Sequence, residues 1–403
     1  FRRLREINTS DKEYERIRHL MMGLFGYSQK RREEYYLIKL LARSAKEDIE
    51  SFSSLPEYLR CTSFWNKLFA SYAKSSRDRK FMRDVLGPVV KESVIENPDL
   101  DLESDPIQIY RSAINNEELQ TGQRSRRQPD LPREEAIRDP ETRETFIQHL
   151  QDLRDIVDQL FLGLEDFLYR MPFGIRYLAQ QMYQNLLERF HGEDPGSVLQ
   201  TVGHWVWKSY FQPAVLEPEK YGVIDRGLTQ EQKRNLGEIS KVVAQIASGR
   251  LFGAENVYLQ PLNSYIGESI QRLGRLWGQM ISVQDAESYF DIDEFNDLYA
   301  KAKPTLYIKM SDIFSIHQLV ASEINYMCPH PDDFLKELVR ELGNVKSNEN
   351  ELMGVSSTEI NLTLNPKLAQ VEGKKCKQAP TCVHFLTLPP RSRSRREGAL
   401  HGD

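Results

Sequence analysis

Apolar residues recur three and four positions apart along most of the chain, a spacing that stacks them on one face of a helix. The longest stripe, Leu150, Leu153, Ile156, Val157, Leu160, Phe161, Leu164, Phe167 and Leu168, predicts one amphipathic helix of about five turns. Similar stripes run through Tyr35, Ile38, Leu41 and Ala42, through Leu178, Met182, Asn185 and Leu186, and through Leu236, Ile239, Val242, Val243 and Ile246. No run of alternating strand residues competes with them. Prolines at positions 56, 88, 106, 172, 213, 218, 261 and 304 divide the helices. The pattern predicts an all-α fold of about a dozen helices.

Pro213 closes the apolar run WVWKSYF, Trp205 to Phe211. Its missing N–H and its ring are expected to end or kink that helix, freeing carbonyls and presenting side chains. Trp205, Val206, Tyr210 and Phe211 read as core residues. Between Asn115 and Pro140 the sequence turns polar and proline-punctuated, which predicts a surface excursion between two helical bundles. After Gly343 the apolar periodicity fades, and the stretch from Lys374 to Asp403 is rich in Lys, Arg, Ser and Pro. A disordered tail is expected there, in which the basic run Arg391 to Arg396 is solvated. The expected boundaries are a helical domain over residues 1–345, with its core from about residue 20, and a polar tail over residues 346–403.

The 403 residues are 40% hydrophobic, enough to bury a large core, and the formal net charge of −5 argues against a general nucleic-acid binder. Four cysteines without paired CxxC spacing provide neither a disulfide framework nor a zinc site, as in an intracellular, reduced protein. No stretch approaches the roughly 20 apolar residues of a membrane span. The first residue is Phe1 rather than Met, so a piece of a longer protein is expected. The chain has no GxxxxGK[ST] phosphate loop, HExxH, GxSxG or kinase signature, and no metal-spaced His and carboxylate cluster. A self-contained active site is not expected.

Two segments carry more. WVWKSYFQPA is followed by EPEKYG and by KRNLGEISKVVAQIAS, Lys233 to Ser248, and LPEYLRCTSFWNK, Leu55 to Lys67, lies upstream. This succession resembles the Ras GTPase-activating protein (RasGAP) domain from roughly Leu20 to Gly343, in its IQGAP-like branch and most closely the fungal RasGAPs. The resemblance implies a central helical bundle with a smaller extra helical subdomain. Pro213, Ala214 and Lys241 fall where the family places the wall of a groove that receives a GTPase. Arg60 falls at the arginine-finger position, and Thr62 in the loop helps to fix it. On the residues alone, Thr62 or Ser63 also reads as an N-cap for a helix starting at Phe64.

A finger arginine answers a chemical need. Charge redistributes over phosphate oxygens in the hydrolytic transition state, and a guanidinium entering from another protein stabilises it by about 10³ to 10⁵ in rate. The resemblance implies a regulator that binds a GTP-loaded Ras-family GTPase and inserts Arg60 in trans, switching the signal off. Lys67, Arg83, Lys208, Ser209, Gln212, Asn235 and Lys241 are expected to line the binding groove, and Arg77, Arg79 and Lys80 add to a basic rim that steers an acidic switch region. No metal or cofactor is expected of this chain, because GTP and magnesium belong to the partner. Neither nucleic acid nor direct membrane insertion is expected, and the place of action is the cytoplasmic side of the plasma membrane or the cell cortex.

The sequence also departs from the family pattern. Ser209 stands where the family carries the arginine that braces the finger, so the brace is missing or supplied by Lys208. Ser248 and Glu255 replace the Asn and Lys often found downstream. The alternative reading is a scaffold or effector module like the IQGAP proteins, which grips an active Rho-family GTPase without stimulating it. In those proteins the finger position holds no arginine, so Arg60 favours the catalytic reading.

Overall fold

The computed structural model describes residues 11–60, 64–292, 305–343 and 359–363, and it separates into two compact units, Phe1–Asn296 and Asp297–Asp403. The first unit is helical. Its predicted amphipathic stripes become α1 (Asp11–Leu24), α2 (Arg31–Glu50), α3 (Leu55–Arg60), α4 (Phe64–Tyr72) and α5 (Ser76–Gly87). Then follow α6 (Pro106–Thr121), α7 (Arg133–Ala136), α8 (Pro140–Phe167), α9 (Phe173–Arg189) and α10 (Pro195–Val206). The unit closes with α11 (Gln212–Leu216), α12 (Gln230–Ala247), α13 (Asn263–Ile281) and α14 (Ala286–Phe290).

Local chemistry sets where these helices begin. Asp105, Asp139 and Asp194 accept backbone N–H groups as N-caps, each followed by a proline whose absent N–H would have had no helical partner anyway. Pro106 therefore starts a helix rather than stopping one. Ser75 and Asp78 satisfy each other's backbone N–H at the start of α5 in a reciprocal box.

Helix α8 is the axis of the unit, 28 residues long, and packs against α5, α6, α12 and α13. Its stripe from Leu150 to Leu164 is buried, as are Leu236, Ile239, Val242, Val243 and Ile246 of α12. Helices α10 and α13 approach closely because Gly203 has no side chain: a Cβ there would lie 2.1 Å from the indole of Trp277.

Two prolines depart from the sequence expectation. The chain stays helical through Pro88, where Pro88–Ile95 forms a π-helical stretch, and through Pro213, where a π-helical turn Trp207–Phe211 leads directly into α11. The helix does not end at Pro213 but is perturbed just before it into a π turn. A proline leaves one carbonyl without its donor, and re-registering nearby bonds from i−4 to i−5 widens the turn enough to keep the helix. Trp205, Val206, Tyr210 and Phe211 are core residues, as their spacing predicted.

The stretch predicted as a surface excursion is partly helical. Helix α6 extends to Thr121 and is closed by Gly122 in the left-handed region, and α7 buries Ala136 against Tyr110 and Ile114 in a small cluster of its own.

In the second unit, strand β1 (Thr305–Lys309) is followed by α15 (Met310–Met327) and α16 (Phe334–Leu342), which pack on each other. β1 pairs antiparallel with β2 (Glu359–Thr363), Thr305 opposite Thr363. This ribbon is the departure from all-α architecture among the described residues. Residues 374–403 and Pro304 lie outside them.

Candidate functional site

Tyr58 near the end of α3 and Asn66 early in α4 bracket the predicted finger turn, and both line a cleft of about 620 Å³. The opposite wall comes from α10 and the π turn: Ser197, Gln200, Thr201, His204, Trp205, Lys208 and Ser209. Ser248, Gly249 and Arg250, just beyond α12, close it. The indole of Trp205 donates to Asn66 Oδ1 at 3.0 Å and packs on Trp65 and Phe69, which ties the start of α4 to α10. Arg60 ends α3, but its side chain lies outside the described residues, as do Cys61, Thr62 and Ser63.

The π turn positions Lys208 and Ser209. Its other side is anchored in the interior, where the Tyr210 hydroxyl donates to Asp78 Oδ1 at 2.8 Å. Asp78 also accepts from Ser75, and beside it Tyr72 donates to the buried Glu34 at 2.8 Å while Arg77 pairs with the same carboxylate. Burial raises the Asp78 carboxyl above the ordinary range despite its hydrogen bonds to Ser75 and Tyr210. The Tyr72 and Tyr210 hydroxyls are pushed up by burial and then by these carboxylates.

The cleft is cationic. No carboxylate lines it, and neither Lys208 nor Arg250 has a carboxylate partner among the described residues. Burial, then Lys208 and Arg250, lower the pKa of His204, whose enclosed Nδ1 has no hydrogen-bond partner. Such a cleft favours anionic groups and offers them hydroxyl and amide donors. Among the described residues no three His, Cys, Asp or Glu side chains are placed to hold a metal ion.

The remaining predicted groove residues are dispersed. Gln212 donates to the buried Ser240 of α12 at 3.2 Å. Arg83 donates to the Gly222 carbonyl at 2.9 Å and lies 3.7 Å from Asp225, beyond α11. Lys67 is exposed, its ammonium 4.4 Å from the Tyr14 ring centroid. Asn235 is buried: its amide donates to Leu100 O at 2.8 Å and accepts from Leu102 N–H at 3.0 Å, holding that loop on α12. Lys241 bridges both oxygens of Glu238, at 2.8 and 2.9 Å. Thus only Lys208 and Ser209 of these share the cleft beside the finger turn. Sequence reasoning missed His204 and Arg250. His204 precedes Lys208 by one helical turn, and Arg250 follows a Ser-Gly helix stop, both legible signals.

The family model of the GTPase-activator protein for Ras-like GTPase matches residues 40–248, more than half of the chain. Human IQGAP2, a Ras GTPase-activating-like protein, is 29% identical over 88% of the chain, and rng2 of Schizosaccharomyces pombe, named likewise, is 27% identical over 92%. The rgaA protein of Dictyostelium discoideum, also Ras GTPase-activating-like, is 25% identical over 86%. The chain spans about a quarter of IQGAP2 and of rng2, and 42% of rgaA.

These relatives correct three expectations. The chain is more similar to mammalian IQGAP2 than to the fungal rng2, so a fungal RasGAP is not its nearest type. IQGAP-type proteins dominate the matches, which overturns the reading of Arg60 as a catalytic arginine finger despite its place in the pattern. The same matches overturn the assignment of a GTP-loaded Ras-family partner. Physically, position 209 carries a serine hydroxyl and no guanidinium, so the planar donor that the family pattern sets opposite a finger arginine is not present there. The chain belongs to the family of GTPase-activator proteins for Ras-like GTPases, and it is similar within that family to IQGAP-type proteins.

Proposed function

We propose that this domain is the GTPase-gripping module of an IQGAP-like scaffold: it binds an active Rho-family GTPase and does not accelerate its hydrolysis. The observation that carries the reading is the cleft of Lys208, His204 and Arg250 between α3, α4 and α10, with no carboxylate among its described residues, in a chain similar to IQGAP-type proteins. Acidic switch residues of a GTPase suit such a surface. Lys67 and Arg83, outside this cleft, add positive charge to the surface, Gln212 and Asn235 hold α12 in place through Ser240 and the Leu100–Leu102 loop, and Lys241 contributes charge moderated by Glu238. By the resemblance, Arg60 serves as a binding cation and Thr62 supports it. The GTPase-binding cleft belongs to the first unit, and residues 346–403 contribute β2 to the second rather than only a tail. No helix among the described residues is long and apolar enough to cross a membrane. The module acts in the cytoplasm, recruited by its partner to the inner face of the plasma membrane or the cortex.

Binding and single-turnover hydrolysis of GTP-loaded Rho- and Ras-family GTPases, with and without the protein, test this. The expected result is saturable binding of a Rho-family GTPase with its hydrolysis rate unchanged within about twofold. Lys208→Glu is expected to weaken binding about tenfold, the worth of one charge-assisted contact, and Arg60→Ala to leave hydrolysis unchanged. Stimulation that vanishes in Arg60→Ala would overturn the proposal.

A further inference from the structure

A second cleft, of about 710 Å³, opens elsewhere on the first unit and shares no lining residue with the first. Along α5 it is lined by Arg77, Lys80, Phe81 and Asp84, which fall on one helix face. Arg170 and Arg176 face them from the turn before α9 and from α9 itself. Phe173, stacked on Tyr289 with centroids 3.7 Å apart, provides an apolar wall, and Tyr169 stands 69% exposed at the mouth.

The charges do not balance. Four cations line the cleft against one carboxylate, Asp84, which accepts from Arg170 at 3.3 Å. Arg77 pairs with Glu34 behind the lining. That leaves Lys80 and Arg176 with no carboxylate partner among the described residues. Arg176 is half-buried and bonded only to carbonyls, with Nε on Met280 O at 3.0 Å and Nη2 on Gln279 O and Ser282 O at 3.1 Å each. These close the C-terminal turn of α13, so its position is fixed while its full charge remains. Burial lowers its pKa and no acid restores it. A preorganised cation and an exposed one, lining the same open cleft, leave a formal excess of two positive charges.

We propose that this cleft binds a phosphate monoester, whose charge of about −1.5 to −2 at neutral pH matches that excess. Arg176 and Arg77 provide planar donors and Lys80 closes on the phosphate as a point charge. The monoester can be soluble or carried by a lipid headgroup, and the two sources are distinguished by experiment. This site is independent of the GTPase-binding cleft.

The test is titration calorimetry with inorganic phosphate and glycerol 3-phosphate, beside co-sedimentation with phosphatidylcholine vesicles containing or lacking phosphatidic acid. Saturable binding of the soluble esters indicates a small ligand, and binding only to phosphatidic acid vesicles indicates a headgroup. In either case Lys80→Glu is expected to weaken binding about tenfold or more, while Lys233→Glu, an equal charge change outside both clefts, is not. Thermal melts establish that both variants fold. No saturable binding in any arm, or equal weakening by Lys233→Glu, would overturn the proposal.

Discussion

His204 and Lys208 are one turn apart and face the same cleft, and burial together with its cationic neighbours pushes the imidazole's pKa down. The folded chain thus releases a proton that the unfolded chain keeps. Stability contributed by His204 is fully present above the ordinary imidazole value of about 6.5 and is lost as pH falls through the lowered folded value. Urea unfolding in pH steps across this window is expected to show a positive slope in the parent and a flatter one in His204→Gln. An unchanged slope would remove His204 as its source. At the same scale, Asn235 illustrates what spacing conceals. Its place on α12 was legible from the family pattern, but only the packed loop shows that both ends of its amide are engaged by Leu100 and Leu102.

At the scale of elements, the π turn matters most. It carries the chain through Pro213 while its interior side locks Tyr210 onto Asp78, and its outer side presents Lys208 and Ser209. A proline in sequence announces a perturbed helix, but whether the chain breaks or widens depends on what packs against it. The close approach of α10 to α13 has one evident weak point. Gly203→Ala would drive a methyl into Trp277 and is expected to cost about 1–3 kcal/mol, or more if the indole cannot move. Thermal unfolding measures this, and a midpoint unchanged from the parent would show that the helices slide apart freely.

For the whole molecule, a net charge of −5 coexists with two locally cationic clefts. An overall balance can exclude broad polyanion binding while saying nothing of such patches. Association with an acidic GTPase surface is therefore expected to slow as ionic strength rises, since screening weakens long-range steering more than the docked contacts. Stopped-flow association rates across a salt series measure this, and a flat series would argue against the cationic cleft as the docking face.

Much of the fold was written in the chain. Helical spacing placed α2, α8, α9 and α12 and named their buried faces, because a 3.6-residue repeat can satisfy only a helix packed on one side. The family was legible in the motifs around Arg60, Pro213 and Lys241 rather than in the spacing. The second unit's ribbon was illegible, since its pairing joins Thr305 to Thr363 across a long separation that no local pattern reports. Which basic residues act together was decided by tertiary structure alone. Arg77 and Lys80 turn to one cleft and Arg83 to the Gly222 turn, although all three sit within two turns of α5. Sequence records how often a charge recurs along a helix, but its effective neighbours are set by the elements that fold against it.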